Sequence, residues 1–377
     1  MVKKIPILLL LTGIFILSGC GGGGSSSTAV NIQPLKEDLG GRIFADTNLS
    51  EPAGQSCASC HVAQAGFADP DTDSTRPASE GAVSGRFGNR NAPTAAYTSL
   101  IPVFGTNNAG AFIGGQFDDG RAATLVEQAR APFLNPLEMS NPDMASVIDK
   151  IRNSTYATLF EQVYGAGSLN NTVTAFDQAA DAIAAFEGTN AFSPFTSKFD
   201  YFLAGRVQLT AQESRGFILF DGKGLCFTCH EFPLFTNHTY SNIGVPKNPD
   251  NPFYTMPPQY NPAGAAFVDL GLGANPAVLL SSENGKFRVP TLRNVALTAP
   301  YMHNGTFQTL DQVVNFYNTR DVLPVCPTDA IQPNCWPLPE VPENVDTLLM
   351  GNLGLTQGEV NDIVAFLQTL TDGFVTP

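Results

Sequence analysis

Two segments of the sequence, Cys57-Ala58-Ser59-Cys60-His61 and Cys226-Phe227-Thr228-Cys229-His230, share the pattern Cys-x-x-Cys-His. Two cysteines at this spacing can form thioether bonds to a haem, and the histidine that follows then lies under the iron as its proximal ligand. Two Cys-x-x-Cys pairs could also form a zinc site, but zinc ribbons keep their pairs closer together and do not require a histidine after each pair. The sequence therefore predicts two covalently attached c-type haems, one in each half of the chain.

The start of the chain has the composition of an export signal. Lys3 and Lys4 precede an apolar run that ends in Leu17-Ser18-Gly19-Cys20. This pattern is typical of a secretory signal peptide, and it is too short for a membrane-spanning helix. A cysteine at the cleavage point is typical of bacterial lipoproteins. We predict a signal peptide over residues 1–19 and lipidation of Cys20, which would anchor the protein in the cell envelope, on the periplasmic or outer-membrane surface.

The remaining length suggests a tether and two domains. Glycine and serine dominate the segment after Cys20, and this composition predicts a flexible tether over residues 20–33. The 377-residue chain is long enough for two domains, and one haem motif falls in each half. We predict an N-terminal haem domain over residues 34–200 and a C-terminal haem domain over residues 201–377.

Helix signals surround both haem motifs. Capping boxes begin at Thr210, Thr309 and Thr356, each with Glu or Gln three residues later. Apolar residues at helical spacing occur over residues 35–44 and in an alanine-rich segment over residues 172–186. No segment has a strong strand pattern. The predicted fold class is all-α, with two cytochrome c-like haem domains and long ordered loops.

The seven cysteines divide into groups with different roles. Four belong to the haem motifs and Cys20 to the lipidation signal, which leaves Cys326 and Cys335. An oxidising compartment favours a disulfide between these two residues. The formal net charge of -14 disfavours nucleic acid as a partner and favours a docking partner with a basic patch.

Four further segments resemble the bacterial di-haem cytochrome c peroxidases, and within them the MauG-like group that oxidises tryptophan in a partner protein. The segments are residues 114–117 (Gly-Gly-Gln-Phe), 119–121 (Asp-Gly-Arg), 134–139 (Leu-Asn-Pro-Leu-Glu-Met) and 289–305, which contains Thr-Ala-Pro-Tyr-Met-His-Asn-Gly. The resemblance extends over nearly the whole mature chain. It implies hydrogen peroxide as a substrate and a partner protein or a small cytochrome c as the electron donor.

The resemblance implies that peroxide reacts at the first haem, the one held by His61. It places Glu138 and Gln128 on the opposite side of the iron, with Pro132 shaping the pocket. Heterolytic cleavage of the O–O bond needs a group that takes a proton from one oxygen and delivers it to the other, and a carboxylate can do this. Gln128 is expected to orient the peroxide.

A histidine that blocks the first haem is missing from this chain. Ordinary members of the family place such a histidine on a loop after the first motif. The four histidines here are His61, His230, His238 and His303, and none lies in residues 62–134. We therefore expect a five-coordinate ferric iron that reacts with peroxide without prior reduction.

The second haem is expected to take His230 as its proximal ligand. In ordinary members of the family the sixth ligand is a methionine 14 residues after the position of His303, and the same count leads here to Tyr317. A tyrosinate is a hard anionic ligand, which favours oxidised iron. The alternative donors, in order of sequence, are His238, Met302 and Met350, of which Met350 is the second choice.

The resemblance also implies a calcium ion between the haems. Its ligands would be the side-chain oxygen of Asn91, the backbone carbonyls of Thr298 and Pro300, and waters. Neutral oxygen ligands of this kind suit Ca²⁺.

One position departs from the family pattern. Relatives carry a tryptophan between the haems, directly before the Asp-Gly-Arg segment, whereas this chain has Asp118 there and its single tryptophan is Trp336. Under one interpretation, ionised Asp118 stabilises oxidised iron while electrons cross through Phe117 or Tyr301. Under the other, Asp118 pairs with an arginine such as Arg121 and holds a loop.

Three functions are compatible with these residues. The first is a MauG-like, peroxide-dependent oxidase acting on a partner protein, which Tyr317 and the missing blocking histidine favour. The second is an ordinary cytochrome c peroxidase with a small cytochrome donor, which the missing tryptophan keeps open. The third is a non-enzymatic electron carrier, against which Glu138 and Gln128 argue.

Overall fold

Helices account for most of the regular structure in residues 31–375, the part of the chain that the computed structural model describes. The first six are α1 (Gln33–Ala45), α2 (Cys57–Cys60), α3 (Leu125–Leu134), α4 (Met144–Arg152), α5 (Ala157–Tyr164) and α6 (Thr172–Glu187). The others are α7 (Lys198–Leu203), α8 (Ala211–Asp221), α9 (Leu310–Thr319) and α10 (Gln357–Gln368). Long loops with short 3-10 turns connect them.

The predicted all-α fold class is correct except for two very short antiparallel strand pairs. Strand β1 (Gly105–Thr106) pairs with β2 (Phe112–Ile113), and β3 (Tyr240–Ser241) pairs with β4 (Phe287–Arg288). Each strand has two residues, which is too short for an alternating pattern to show in the sequence. The fold is therefore helix-rich with little sheet.

The predicted signal peptide and Cys20 lie outside the described residues. Of the predicted tether, residues 31–33 are described, and the last of them already belongs to α1. No helix within residues 31–375 is long and apolar enough to cross a membrane.

The predicted capping boxes are confirmed at three helix starts. The hydroxyl oxygens of Thr210, Thr309 and Thr356 accept hydrogen bonds from the backbone N–H three residues later, at the starts of α8, α9 and α10. Such a cap stabilises a helix by roughly 1 kcal/mol. The helices predicted from apolar spacing are also present, as α1 and α6.

Two hydrophobic clusters make up most of the core of the described chain. The first packs α1, α3, α4, α5 and α6 together and contacts Cys57 and Ala58 of the first haem motif. The second packs α8, α9 and α10 around Phe199 of α7 and contacts Cys226 and Phe227 of the second motif. Each haem motif therefore adjoins its own cluster.

The same helix contact occurs in both clusters. Gly40 of α1 lies so close to α6 that an added Cβ would collide with the carbonyl oxygen of Ala182. Gly216 of α8 lies equally close to α10, where a Cβ would collide with the carbonyl oxygen of Asp362. Only glycine permits so close a backbone approach. In both cases the helix that carries the glycine precedes the haem motif.

Replacing either glycine should destabilise the protein. We expect Gly40→Ala and Gly216→Ala each to lower the free energy of unfolding by roughly 1–3 kcal/mol, because an extra methyl group must separate two packed helices. Chemical denaturation of the haem-loaded protein measures this. Gly358→Ala in α10 is the control, since a Cβ there meets only the Thr356 hydroxyl at 3.9 Å. Equal losses in all three variants would contradict the prediction.

Candidate haem and peroxide sites

The first haem motif forms a single helical turn, α2. The backbone N–H of His61 donates to the carbonyl oxygen of Cys57 at 2.9 Å, which fixes the histidine at the end of the turn. The His61 Nδ1 lies 3.1 Å from the carbonyl oxygen of Phe67, and this leaves Nε2 free to bind a metal. Burial lowers the pKa of His61, which favours the neutral imidazole.

The second motif repeats this arrangement. The backbone N–H of His230 donates to the carbonyl oxygen of Cys226 at 2.9 Å, and its Nδ1 lies 2.9 Å from the carbonyl oxygen of Phe235. Burial lowers the pKa of His230 to about 4. Both histidines therefore have the neutral state and the oriented ring that an iron ligand requires.

The surroundings of the motifs fit covalently attached haem. None of their four cysteines forms a disulfide. Cys226, Cys229 and His230 line a cavity of about 270 Å³ with predominantly apolar walls. We call it the second cavity because it adjoins the second haem motif. Free thiols and an imidazole nitrogen at such a cavity are the groups that haem attachment uses.

Glu138 lies at the first motif, where the sequence placed the peroxide site. Its Oε1 accepts a hydrogen bond from the Asn135 Nδ2 at 2.8 Å. Burial raises the pKa of Glu138, although Arg121 and Asn135 lower it in part. Burial also raises the thiol pKa values of Cys57 and Cys60, and the Glu138 carboxylate adds to both shifts. The charge of this carboxyl group therefore acts on both haem-attaching sulfurs.

Gln128 and Pro132 both lie on α3, the helix that leads to Glu138. They are four residues apart and therefore share one face of the helix. The Pro132 carbonyl oxygen accepts a hydrogen bond from the backbone N–H of Met139 at 3.2 Å, which helps to turn the chain back after the helix. This turn folds the segment that carries Glu138 back against the end of α3.

Glu187 is a buried carboxyl group that sequence reasoning missed. It ends α6, is 5% exposed, and its Oε2 has no hydrogen-bond partner among the described residues. Burial raises its pKa to about 8, and its charge raises the pKa of the Cys57 thiol. The sequence signal was its position four residues after Ile183, which places it on the buried apolar face of the helix.

Tyr317 lines the second cavity, and so do the three alternative donors. Burial raises the pKa of the Tyr317 hydroxyl most, the Cys226 and Cys229 sulfurs raise it further, and Arg320 lowers it. Tyr317 is thus close to the haem-attaching cysteines. A bound ferric ion would favour the tyrosinate, because a metal cation stabilises the deprotonated ligand.

The alternative donors have different surroundings. Burial and then Arg288 lower the pKa of His238 to about 4. His238 Nδ1 has no hydrogen-bond partner among the described residues. Met350 is buried, and the residue after it donates its backbone N–H to the carbonyl oxygen of Tyr317 at 2.6 Å. Met350 is thus next to Tyr317 in space. His238 instead lies within the influence of the Arg288 charge.

The three residues predicted to bind calcium lie together on the wall of the second cavity. Asn91 donates from Nδ2 to the carbonyl oxygen of Pro77 at 3.0 Å, which leaves its side-chain oxygen free. The carbonyl oxygens of Thr298 and Pro300 accept no hydrogen bond from any residue in the range 31–375. Three unpaired neutral oxygens are thus available in one region.

The structure shows no ion pair between Asp118 and Arg121, which was one of the two interpretations. Arg121 instead pairs with Asp119 at 2.9 Å, and Asp119 also pairs with Arg90 at 2.8 Å. Asp118 lines the second cavity and forms no ion pair within the described residues. Burial raises its pKa, whereas Arg90 and Arg288 lower it. Neighbouring residues on a turn point in different directions, and the sequence did not show which one faced Arg121.

The two routes suggested for electrons differ in their surroundings. The Phe117 ring lies under the guanidinium of Arg121, 3.6 Å from its centroid, and Tyr301 lines the second cavity. Trp336 lies elsewhere, next to Cys335, which forms a disulfide with Cys326. Its ring packs among phenylalanines.

Comparison with known proteins places the chain in a family. A family profile described as di-haem cytochrome c peroxidase matches residues 34–208. The methylamine utilization protein MauG of Paracoccus denitrificans (strain Pd 1222) is 40% identical over 365 residues, covering 92% of each chain. The cytochrome-c peroxidase IdrP1 of Denitromonas iodatirespirans is 30% identical over 348 residues, covering 89% of this chain and 81% of that protein.

Solved structures agree with this assignment. The crystal structure of the diheme peroxidase BthA from Burkholderia thailandensis E264 has a TM-score of 0.79 and 32% identity, covering 90% of this chain and 86% of that chain. The chain belongs to the di-haem cytochrome c peroxidase family. It is thus a haem peroxidase, an oxidoreductase that acts on peroxide, and the family implies two haems c. The interpretation as a non-enzymatic carrier is set aside.

Substitution can identify the sixth ligand of the second haem. We expect Tyr317→Phe to change the ferric electron paramagnetic resonance (EPR) spectrum of that haem and to raise its reduction potential, because a hard anionic ligand is lost. Met350→Leu, the control, should leave both unchanged. EPR and potentiometric titration of the haem-loaded protein measure these effects. The opposite pattern would assign the thioether as the ligand.

Proposed function

We propose that the protein is a MauG-like peroxidase that takes electrons from a partner protein, with an aromatic side chain of the partner as the source. The observation that carries the proposal is the lack of a blocking histidine at the first haem motif. Residues 62–134 contain no histidine, and both histidines outside the motifs, His238 and His303, line the second cavity. The peroxide side of the first haem is then open in the oxidised protein.

Glu138 is the proton-transfer group in this proposal, and bound haem supplies the redox chemistry. Oε1 is held by Asn135, so Oε2 remains available to take a proton from one peroxide oxygen and return it to the other. Burial raises the pKa of the carboxyl group, which moves it in the direction of the working pH, where a catalytic acid or base works best. Gln128 and Pro132 complete this side of the site.

The second site favours oxidised iron in this proposal. Arg320 is held by Asp321 at 2.7 Å and by the carbonyl oxygen of Ile243 at 2.8 Å. Burial raises the pKa of Tyr317, and the charge of Arg320 offsets part of that rise, which is the direction that a tyrosinate ligand needs. An anionic oxygen donor stabilises the higher oxidation states of iron. The second haem would then share oxidising equivalents with the first.

An ordinary cytochrome c peroxidase with a small cytochrome donor is the second candidate. Two observations favour it. Met350, a thioether of the kind that such enzymes use, lies on the wall of the second cavity beside Tyr317. Asp118 replaces the tryptophan that connects the haems in relatives, and it offers no aromatic ring.

We further propose a lipid anchor at Cys20 and two haem domains, over residues 34–200 and 201–377. The disulfide between Cys326 and Cys335 supports the envelope location, because such bonds persist in oxidising compartments. The two hydrophobic clusters, one beside each haem motif, support the domain division. Mass spectrometry of the mature N-terminus tests the anchor, and a Cys20→Ser variant should appear in the soluble fraction.

Addition of peroxide to the fully oxidised protein separates the two candidate functions. One equivalent of hydrogen peroxide should remove a high-spin ferric EPR signal and produce new near-infrared absorption without prior reduction. A reaction that begins only after one haem has been reduced would support the ordinary peroxidase and contradict the MauG-like proposal.

Glu138→Gln should slow the reaction with peroxide. We expect the rate constant to fall by roughly 10²-fold or more, because general acid–base catalysis contributes that much and an amide cannot exchange the proton. Stopped-flow absorption of the oxidised protein measures the rate. Glu343→Gln is the matched control, since Glu343 is an exposed carboxylate with no side-chain hydrogen bond in the described chain. A parental rate in Glu138→Gln would remove this residue from the mechanism.

We propose calcium binding at Asn91, Thr298 and Pro300, and the unpaired oxygens support it. Asn91→Ala should lower the calcium content of the purified protein, because the one side-chain ligand is lost. Thr298→Val should retain calcium, since Thr298 would contribute only its backbone carbonyl. Elemental analysis after dialysis measures both. Calcium retained at the parental level in Asn91→Ala would exclude this ligand set.

A further inference from the structure

Trp336, the single tryptophan of the chain, is part of an aromatic cluster. Its ring packs edge-on against Phe316, with centroids 5.3 Å apart, and against Phe307 at 5.8 Å. The rings of Phe307 and Phe316 are 5.0 Å apart. We call these three residues the Trp336 cluster.

The Trp336 cluster extends to the wall of the second cavity. Phe316 precedes Tyr317 on α9, and their ring centroids are 6.4 Å apart. Tyr317 lines the second cavity, and so does Tyr301, which packs against the same cluster. A continuous series of ring contacts therefore leads from the second haem site to Trp336.

The other side of Trp336 is close to the protein surface. The residue is 7% exposed, and it pairs through its backbone with Val325, which is 58% exposed. Leu338, two residues further along the chain, is 64% exposed. Trp336 thus lies between the second cavity and the solvent.

We propose that Trp336 is a one-electron donor to the second haem site. Hydrogen peroxide takes up two electrons and two protons and yields two waters. In the absence of an external donor, the indole of Trp336 supplies one of these electrons through Phe316 and Tyr317, and the haems supply the other. The indole becomes a radical cation. This inference rests on the proposed reaction of the oxidised protein with peroxide.

The surroundings of Trp336 suit reversible loss of an electron. Its ring is electron-rich and can hold a positive charge better than the neighbouring phenylalanines. The indole Nε1–H donates to the Thr319 Oγ1 at 3.0 Å, and that hydroxyl itself donates to the carbonyl oxygen of Asn315 at 2.7 Å. A hydroxyl is a weak base, so the N–H proton stays on the oxidised indole and the electron can return.

Tyr301, which packs against the same cluster, is less suited to this role. Burial raises the pKa of its hydroxyl to about 12. The hydroxyl has no hydrogen-bond acceptor among the described residues. A tyrosine releases its phenolic proton when it is oxidised, and no group stands ready to accept that proton here. Trp336 is therefore a better electron source than Tyr301.

Isotope labelling tests the proposal in the unaltered holoprotein. One equivalent of hydrogen peroxide is added to the fully oxidised protein, which is frozen rapidly and examined by EPR and haem absorption together. We expect an organic radical signal whose hyperfine width narrows when the protein is made with ring-deuterated tryptophan. Deuterated tyrosine should leave the signal unchanged. Because the chain has one tryptophan, narrowing identifies Trp336.

Variants test the route. Trp336→Phe should lose the radical signal, and Phe316→Leu should lower its yield, while the ferric spectra of both haems remain as in the parent. Phe267→Leu is the matched control. It also removes one ring of an aromatic pair, with Phe253 at 5.0 Å, but lies outside the cluster. Its signal should equal that of the parent.

Two results would overturn the inference. The first is a radical that responds to labelled tyrosine but not to labelled tryptophan, and the second is a haem spectral change with no organic radical. With either result, the proposed reaction of the oxidised protein with peroxide would still be supported. If the oxidised haems do not respond to peroxide, the proposed function fails and the inference fails with it.

Discussion

The close helix contacts at Gly40 and Gly216 are the constraint on which both haem sites depend. Each contact joins the helix before a haem motif to a later helix of the same cluster, α6 or α10. The position of the motif is thereby fixed relative to the apolar cluster it adjoins. The motif histidine is then oriented locally, through the hydrogen bond between its Nδ1 and a backbone carbonyl. Helix packing therefore fixes the position of the haem motif, and the hydrogen bond at Nδ1 fixes the orientation of its histidine.

The two sites differ in the charges that surround them. The first motif is influenced by two carboxyl groups, the partly exposed Glu138 and the buried Glu187, and both have raised pKa values. The second cavity has one such carboxyl group, Asp118, but also has Arg288 on its wall and Arg320 close to Tyr317. Carboxyl groups that can be protonated suit proton transfer, whereas fixed positive charge beside a tyrosine suits an anionic ligand. The same motif thus serves two kinds of chemistry.

Features encoded in a short stretch of residues were predictable from the sequence. The capping boxes of α8, α9 and α10 and the haem motifs are local patterns with a local physical cause. The place of Tyr317 on the cavity wall followed from a residue count in a resembling segment. By contrast, each strand has only two residues, which is too short to leave an alternating pattern, and β3 and β4 also come from segments that are distant in sequence.

The surroundings of individual charged side chains were less predictable. Asp118 and Asp119 are adjacent and chemically identical, and only the turn decides which of them meets Arg121. Glu187 and His238 owe their burial to helices and loops that are remote in sequence. Their surroundings depend on tertiary packing, which residue spacing does not encode.

Arg90 ties together three distant segments of the chain through ion pairs with Asp119, at 2.8 Å, and Asp269, at 2.7 Å. Burial by itself would raise the pKa of Asp269, but the charge and hydrogen bonds of Arg90 lower it well below its usual range. The stability that this carboxylate adds is present above the ordinary aspartate pKa of 3.8 and is lost progressively as the pH falls from there through the lowered value.

His238 behaves in the opposite way. It is neutral in the fold, with its pKa lowered to about 4, so unfolding takes up a proton once the pH falls below the ordinary value of 6.5. Mild acidification is therefore expected to destabilise the part of the second cavity that contains His238, while the ion pairs of Arg90 with Asp119 and Asp269 remain intact.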